Sequence, residues 1–197
     1  MRGIKYMRKA LILLYVLLLS TLSCLTKPSY EEVVAEELAK GNRFDEVILD
    51  IHLGMTYDDF YKYCFFKKQE GVVKPNVSGT GVVTVLTEGF SNPVEFSFYP
   101  ERSKLFTKKI TKIEGKLMYQ NFSLYNRDLR IEKLLAETIT SFENKYKGNK
   151  FFTAPHPNKI MKYIYLKIDG NRKIMVRPTF DGSHLIIKIE DLKPKID

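Results

Sequence analysis

The stretch that decides the fold is residues 160–190, IMKYIYLKIDGNRKIMVRPTFDGSHLIIKIE. It contains three runs in which apolar and polar residues alternate, the pattern of strands with one buried face. The runs are joined at Asp169-Gly170 and Asp181-Gly182, and Asp-Gly dipeptides favour tight hairpin turns. We therefore predict an antiparallel three-stranded meander with strands over 160–168, 172–178 and 184–190. In the first strand we expect Ile164, Leu166 and Ile168 to face the core and Tyr163, Tyr165 and Lys167 to form an amphipathic face.

An amphipathic helix precedes this meander, over residues 126–147. Its apolar residues recur every three or four positions, at Ile131, Leu134, Leu135, Ile139, Phe142 and Tyr146. Gly148 is placed to end the helix. The opposite face carries Arg130, Lys133, Glu137, Glu143 and Lys147, and we expect it to be solvated.

The same order of a helix followed by strands occurs earlier in the chain. Thr56 is a suitable N-cap for a helix running to about Lys68, in which Cys64 lies on the apolar face and is predicted to be a buried, unreactive thiol. Strands are predicted over 82–86, 94–99 and 109–119. The fold class is therefore α+β: two main helices packed on an antiparallel sheet, as two α-then-β halves covering residues 56–120 and 126–190, within a single domain of residues 44–197.

Two smaller elements are predicted ahead of the first half. Ser29 and Glu32 have the spacing of a capping box, which indicates a helix from about residue 29 to residue 40. Residues 44–53 are apolar and β-branched enough for one short strand.

The N-terminus has the three parts of a secretory signal. Residues 1–9 contain four basic residues and no acid, residues 10–19 are an unbroken apolar run, and small hydroxylated residues follow. The apolar run is short for a transmembrane helix, which needs about 20 residues. We therefore predict that residues 1–23 are a signal peptide.

Thr21-Leu22-Ser23-Cys24 resembles a bacterial lipobox, the site cut by lipoprotein signal peptidase. The resemblance implies that the Cys24 thiol takes a diacylglycerol and that the new amine is acylated, with palmitate-type chains. Because each buried CH₂ contributes about 0.8 kcal/mol, two or three chains would anchor the protein stably. Residues 24–43 would then be the lipidated cysteine, a short linker and the first helix. An ordinary signal peptide with an incidental cysteine, or an uncleaved anchor, remain alternatives.

Leu25 does not resemble an inner-membrane retention signal, which favours the outer membrane as the location, with the body in the periplasm or at the cell surface. Without residues 1–23 the chain has 28 basic and 23 acidic residues, a net charge of +5. The charge is uneven, at −6 over residues 25–60 and +11 over residues 61–197. We expect an anionic glycan, a lipid headgroup or an acidic protein as partner, and no nucleic acid.

No residue pattern indicates catalysis, a metal or a cofactor. His52, His156 and His184 are far apart in sequence and lack metal-ligand spacing. A pairing of Cys64 with a histidine in space stays open, because such partners need not be close in sequence. Cys24, as the lipidation site, is the one functional residue that we predict.

Two further resemblances bear on function. Gly54-Met55-Thr56 opening a helix is similar to the SmpA/BamE-type outer-membrane lipoproteins, which implies an accessory subunit without catalysis. Three short segments resemble parts of uncharacterised bacterial lipoproteins: Phe98-Tyr99-Pro100, Asn126 with Leu129, and Asp169-Gly170-Asn171-Arg172. This resemblance implies the fold and the anchor, but it implies no site residues. The predicted function is a membrane-anchored lipoprotein of the cell envelope acting as a binding or scaffold module. The alternatives are an accessory subunit of an outer-membrane assembly or transport machine, and an enzyme with a non-local active site.

Overall fold

The computed structural model of the protein describes residues 28–101, 108–121, 129–155 and 163–194. The chain divides into two compact units, Met1–Val33 and Val34–Asp197. In the first unit, the described residues confirm the capping box. The Glu32 N–H donates to the Ser29 hydroxyl at 3.2 Å, and the Ser29 N–H donates to the Glu32 carboxylate at 2.7 Å.

The described helices are α1 (Tyr30–Ala39), α2 (Tyr57–Gln69) and α3 (Ile131–Lys145). The described strands are β1 (Glu46–Ile48), β2 (Ile51–His52), β3 (Lys74–Pro75), β4 (Val82–Leu86), β5 (Val94–Pro100), β6 (Lys112–Tyr119), β7 (Phe152–Pro155), β8 (Tyr163–Asp169), β9 (Arg172–Pro178) and β10 (Leu185–Asp191). Residues 126–128 of the predicted 126–147 helix lie outside the described residues. The predicted bounds were wrong: the helix begins at Ile131, after an extended Arg130 at the N-cap, and ends at Lys145.

The large sheet is antiparallel and has the strand order β3-β4-β5-β6-β10-β9-β8-β7. Helix α2 is followed by the meander β3 to β6, and α3 by the meander β7 to β10. The last strands of the two meanders pair with each other, with Leu185 opposite Leu117 and Ile189 opposite Ile113. This arrangement confirms the predicted α+β fold of two α-then-β halves, including the C-terminal three-stranded meander.

The core lies between the sheet and the apolar faces of α2 and α3. Phe60 of α2 is fully buried against Phe98 of β5, with ring centroids 6.5 Å apart. Leu134 and Phe142 of α3 belong to the same buried cluster. The apolar residues of each helix are therefore buried on one face, as their spacing of three or four residues predicts.

The prediction for β8 is confirmed for Ile164, Leu166 and Ile168, which are buried, and wrong for Lys167, which is fully buried and was expected on an amphipathic face. Tyr165 pairs with Val176 and Lys167 with Ile174, and those two β9 residues are in the core, so Tyr165 and Lys167 share the core side of the sheet. Ile164, Leu166 and Ile168 are buried on the other side. Alternation identified the two faces of the strand correctly, but it did not predict that Lys167 is buried beside Asp169.

Two local expectations also changed, and two short strands were not predicted. Residues 44–53 form the β1–β2 hairpin, not one strand, with Leu49 and Asp50 at φ of 50° and 57°. Strands β3 and β7 lie at the two edges of the sheet and are too short to give a sequence pattern. On the polar face of α3, Glu137 and Glu143 are half-buried, and accept hydrogen bonds from the Tyr119 hydroxyl at 2.9 Å and the Phe151 N–H at 2.9 Å.

Candidate functional site

Cys24, the predicted lipidation site, lies outside the described residues. No helix among the described residues is long and apolar enough to cross a membrane.

Cys64 lies on the buried face of α2, as predicted. It is a free thiol with 6% of its surface exposed. Burial raises the pKa of the Cys64 thiol to about 11, so the reactive thiolate is scarce at neutral pH. Cys64 is therefore a small core residue in this fold.

The two described histidines, His52 and His184, lie on different elements of the fold. His52 is exposed on β2, and His156 lies outside the described residues. His184 follows the β9–β10 turn, where its Nδ1 lies 2.7 Å from the Ser183 hydroxyl, which bonds to Asp181 at 2.9 Å. In a nucleophilic triad the histidine lies between the serine and the carboxylate, whereas here the serine occupies that place. Within the described residues, no group of three His, Cys, Asp or Glu could hold a metal ion.

The hairpin turn Asp169-Gly170-Asn171-Arg172, here called the DGNR hairpin, is buried and cross-links distant segments. The Gly170 N–H donates to Glu37 of α1 at 2.9 Å, and the Asn171 side-chain oxygen accepts the Phe44 N–H at 2.7 Å. Gly170 has φ 51°, and a Cβ there would lie 2.2 Å from the main-chain oxygen of Asn42, so glycine is required. The hairpin binds the N-terminal part of the body to the sheet.

Three charged side chains form the buried centre of this region. Asp169 accepts from Lys167 Nζ at 2.9 Å and from Arg172 at 3.1 Å, and all three residues are at most 2% exposed. The Arg172 guanidinium lies 4.7 Å from the Tyr146 ring centroid and 5.4 Å from that of Phe44. Two cations share one carboxylate beneath the surface, and the buried Arg172 Nε has no hydrogen-bond partner among the described residues, so the surrounding hydrogen bonds offset only part of the desolvation cost of this cluster.

A cleft of about 720 Å³ opens at the same end of α3, between its last turns and the end of β4, and Tyr146 lines it as well. Its volume falls within the range of about 300–1,000 Å³ that is typical of ligand sites. Apolar side chains line much of it: Ile48, Val85, Leu86, Phe90, Phe142 and Tyr146. Polar side chains also reach it: Glu88, Ser141, Asn144 and Lys145.

The walls of this cleft are held by contacts to the core. The Tyr146 hydroxyl donates a hydrogen bond to the Val47 main-chain oxygen, and its ring packs edge-on against Phe142 at 5.4 Å. On the other wall, Gly89 has φ 81° and lies against Ser141, where a Cβ would come within 2.9 Å of the hydroxyl. The cleft is thus preformed, and the close approach of the β4–β5 turn to α3 depends on a glycine.

A second surface feature is the outer face of α2. Tyr61, Phe65 and Phe66 are 45%, 58% and 60% exposed, and the Phe65 and Phe66 rings meet at 6.0 Å. Lys62 and Asp58 border the same shallow depression. An exposed aromatic group of this kind is uncommon on a free surface.

Comparison with family models, with curated proteins and with solved structures found no match to this chain. The cleft residues were missed by sequence reasoning, since 85–90 reads as a strand end and turn and 141–146 as the end of a helix. No local sequence pattern marks these residues, because the cleft forms only where the end of β4 in the first meander lies beside the last turns of α3.

Proposed function

We propose that this protein is a membrane-anchored lipoprotein of the cell envelope, held on the outer membrane by acyl chains on Cys24, and that its body is a non-catalytic binding or scaffold module. The observation that carries the proposal is Cys24 placed after a basic segment, an apolar run of ten residues and Ser23. A single acyl chain binds only marginally, so the two or three chains of a processed lipoprotein would supply the anchoring.

The body supports a binding function in two ways. It has a preformed, partly apolar cleft with a few polar groups, which is the usual composition of a ligand site. Its two best candidates for nucleophilic chemistry, Cys64 and His184, lie apart from this cleft, and burial lowers the reactivity of the first. The residues at the cleft are suited to hold a partner and offer no activated nucleophile.

The test is mass spectrometry of the protein isolated from the membranes of its native host. We expect a polypeptide that begins at Cys24, with a diacylglycerol thioether and an acylated amine. A retained start methionine, or a bare thiol at residue 24, would refute the lipid anchor.

A matched pair of variants gives a second measurement. Cys24→Ser should move the protein out of the membrane fraction, whereas Cys64→Ala, which changes the buried cysteine, should leave it there. An outer-membrane barrel or transporter that co-purifies in mild detergent would instead favour the accessory-subunit function.

A further inference from the structure

The edge of β4 is paired only at its beginning. The Asn76 N–H donates to the Gly81 main-chain oxygen at 2.9 Å, and Lys74 lies opposite Val83. Hydrogen-bonded pairs alternate in an antiparallel ladder, so the main-chain groups of Val83 point to β3. By the same alternation, the N–H and C=O of Val85 point to this edge, two residues further on.

The chain before β3 does not continue the ladder to Val85. Val72 would be the next partner in register, but its N–H donates to the Lys67 oxygen at 2.9 Å and its own oxygen accepts the Thr84 hydroxyl at 3.0 Å. No backbone hydrogen bond from the described residues reaches the Val85 N–H on this side. The side chain of Val85 is 42% exposed, and Thr87 is exposed too. Within the described part of the chain, Val85 is therefore the one position of β4 whose main-chain groups are open on this edge, because the strand ends at Leu86 and the Thr87 oxygen accepts the Phe90 N–H at 3.3 Å.

This open edge forms one wall of the cleft described above. The opposite wall is the last part of α3, with Ser141, Asn144 and Lys145, and buried aromatic rings lie at the base. A groove between a free strand edge and a helix suits an extended chain, whose main chain pairs with the edge and whose alternate side chains enter the groove.

We propose that the edge position Val85 and the adjoining cleft bind an extended segment of a protein partner by strand addition, with an apolar side chain in the cleft and an acidic one at Lys145. The N–H and C=O of Val85, which no backbone group of the described residues pairs on this side, supply the main-chain bonds. Lys145 is the cation on the α3 wall, whereas Glu88 lies on the facing turn, so the acidic side chain is directed toward the helix. This inference rests on the proposed function of the body as a binding module and does not depend on the lipid anchor.

The test uses the full chain in detergent and a phage-displayed library of random eight-residue peptides. We expect enrichment of peptides in which apolar residues alternate and at least one residue is acidic. Binding of a synthetic, fluorescent copy of an enriched peptide is then measured by polarisation. Enrichment of no peptide would overturn the proposal.

Val85→Pro removes the main-chain donor at an exposed edge position, where proline is tolerated. It should weaken peptide binding about tenfold or more, because one hydrogen bond and the fit of the edge are lost. The matched control is Val77→Pro in the β3–β4 turn. Val77 is fully exposed and follows Asn76, whose oxygen accepts the Gly79 N–H at 3.0 Å, so it holds a turn position that favours proline. Equal binding by the Val85→Pro variant and the parent would overturn the proposal.

A second pair of variants separates charge from main-chain pairing. Lys145→Glu should weaken the acidic peptide and leave unchanged a version of that peptide with glutamine in place of the acid. Lys147→Glu, an exposed lysine that does not line the cleft, should have no effect. Self-association of the chain that Val85→Pro abolishes would assign the edge to a second copy and overturn the proposal for a partner. None of these outcomes changes the mass spectrum at Cys24, so the lipid anchor and the peptide site fail separately.

Discussion

Replacing Asp169 by asparagine should destabilise the protein far more than replacing its partner Lys167 by methionine. Asp169 is the shared carboxylate of Lys167 and Arg172, and it also accepts the Asn149 N–H at 2.9 Å. Asp169→Asn leaves two buried cations without a counter-charge, and breaking a buried pair in this way costs about 3–5 kcal/mol. Lys167→Met leaves Asp169 paired with Arg172 and replaces the lysine stem by an apolar chain of similar length, so we expect a loss of about 0–2 kcal/mol.

The measurement is the free energy of unfolding in urea, followed by circular dichroism at neutral pH with the slope compared among variants. For a chain of this size, a loss of about 4 kcal/mol corresponds to a fall in Tm of roughly 8–16 °C. The double variant should lose less unfolding free energy than the two single variants lose together, because the two residues are in contact. The reasoning would be refuted by an Asp169→Asn variant within about 1 kcal/mol of the parent, or by Lys167→Met costing as much as Asp169→Asn.

Two other predictions concern single groups. Cys64 should resist iodoacetamide at pH 8 in the folded protein and react at once in urea, since burial raises its pKa to about 11; equal labelling in both states would contradict this. For Glu37, burial opposes the charged form, but the hydrogen bonds from Gly170 and Lys40 outweigh it and lower the pKa of the carboxyl. Its stabilisation is present above its ordinary pKa of 4.5 and is lost as the pH falls through the lower folded value. Glu37→Gln should therefore cost about 1 kcal/mol at pH 7 and little at pH 2–3, as read from unfolding in urea; an equal cost at both pH values would exclude the carboxylate as the cause.

Elements with strong local signals were predicted well. The Thr56 hydroxyl accepts the Asp59 N–H at 3.1 Å and begins α2 where the sequence indicates, and β4 has the predicted bounds. The Asp-Gly turns joined the meander as expected, because their conformational preference is local. By contrast, the β1–β2 turn uses Leu49 and Asp50 at positive φ, which no turn dipeptide announces. Tertiary packing of Val47, Ile48 and Ile51 in the core holds that turn.

The same contrast between local signals and tertiary packing applies to the candidate site residues. The burial of Cys64 could be predicted, because Phe60 lies four residues earlier on the same helical face. The burial of Lys167 could not be predicted. Its carboxylate partner Asp169 is only two residues away, but the aromatic rings that enclose Arg172 come from Phe44 and Tyr146, which are far from the hairpin in sequence. Periodicity identifies which side chains share a face, but not what that face meets.

The amino-acid sequence by itself determined the order of helices and strands, the two α-then-β halves and the pattern from which a lipid anchor at Cys24 is proposed, because caps, turns and periodicity act over a few residues. Only the tertiary structure decided that Lys167 is buried, where the cleft opens and where the β4 edge is left unpaired by the described residues. Those features depend on contacts between distant segments, whose energies no local pattern contains.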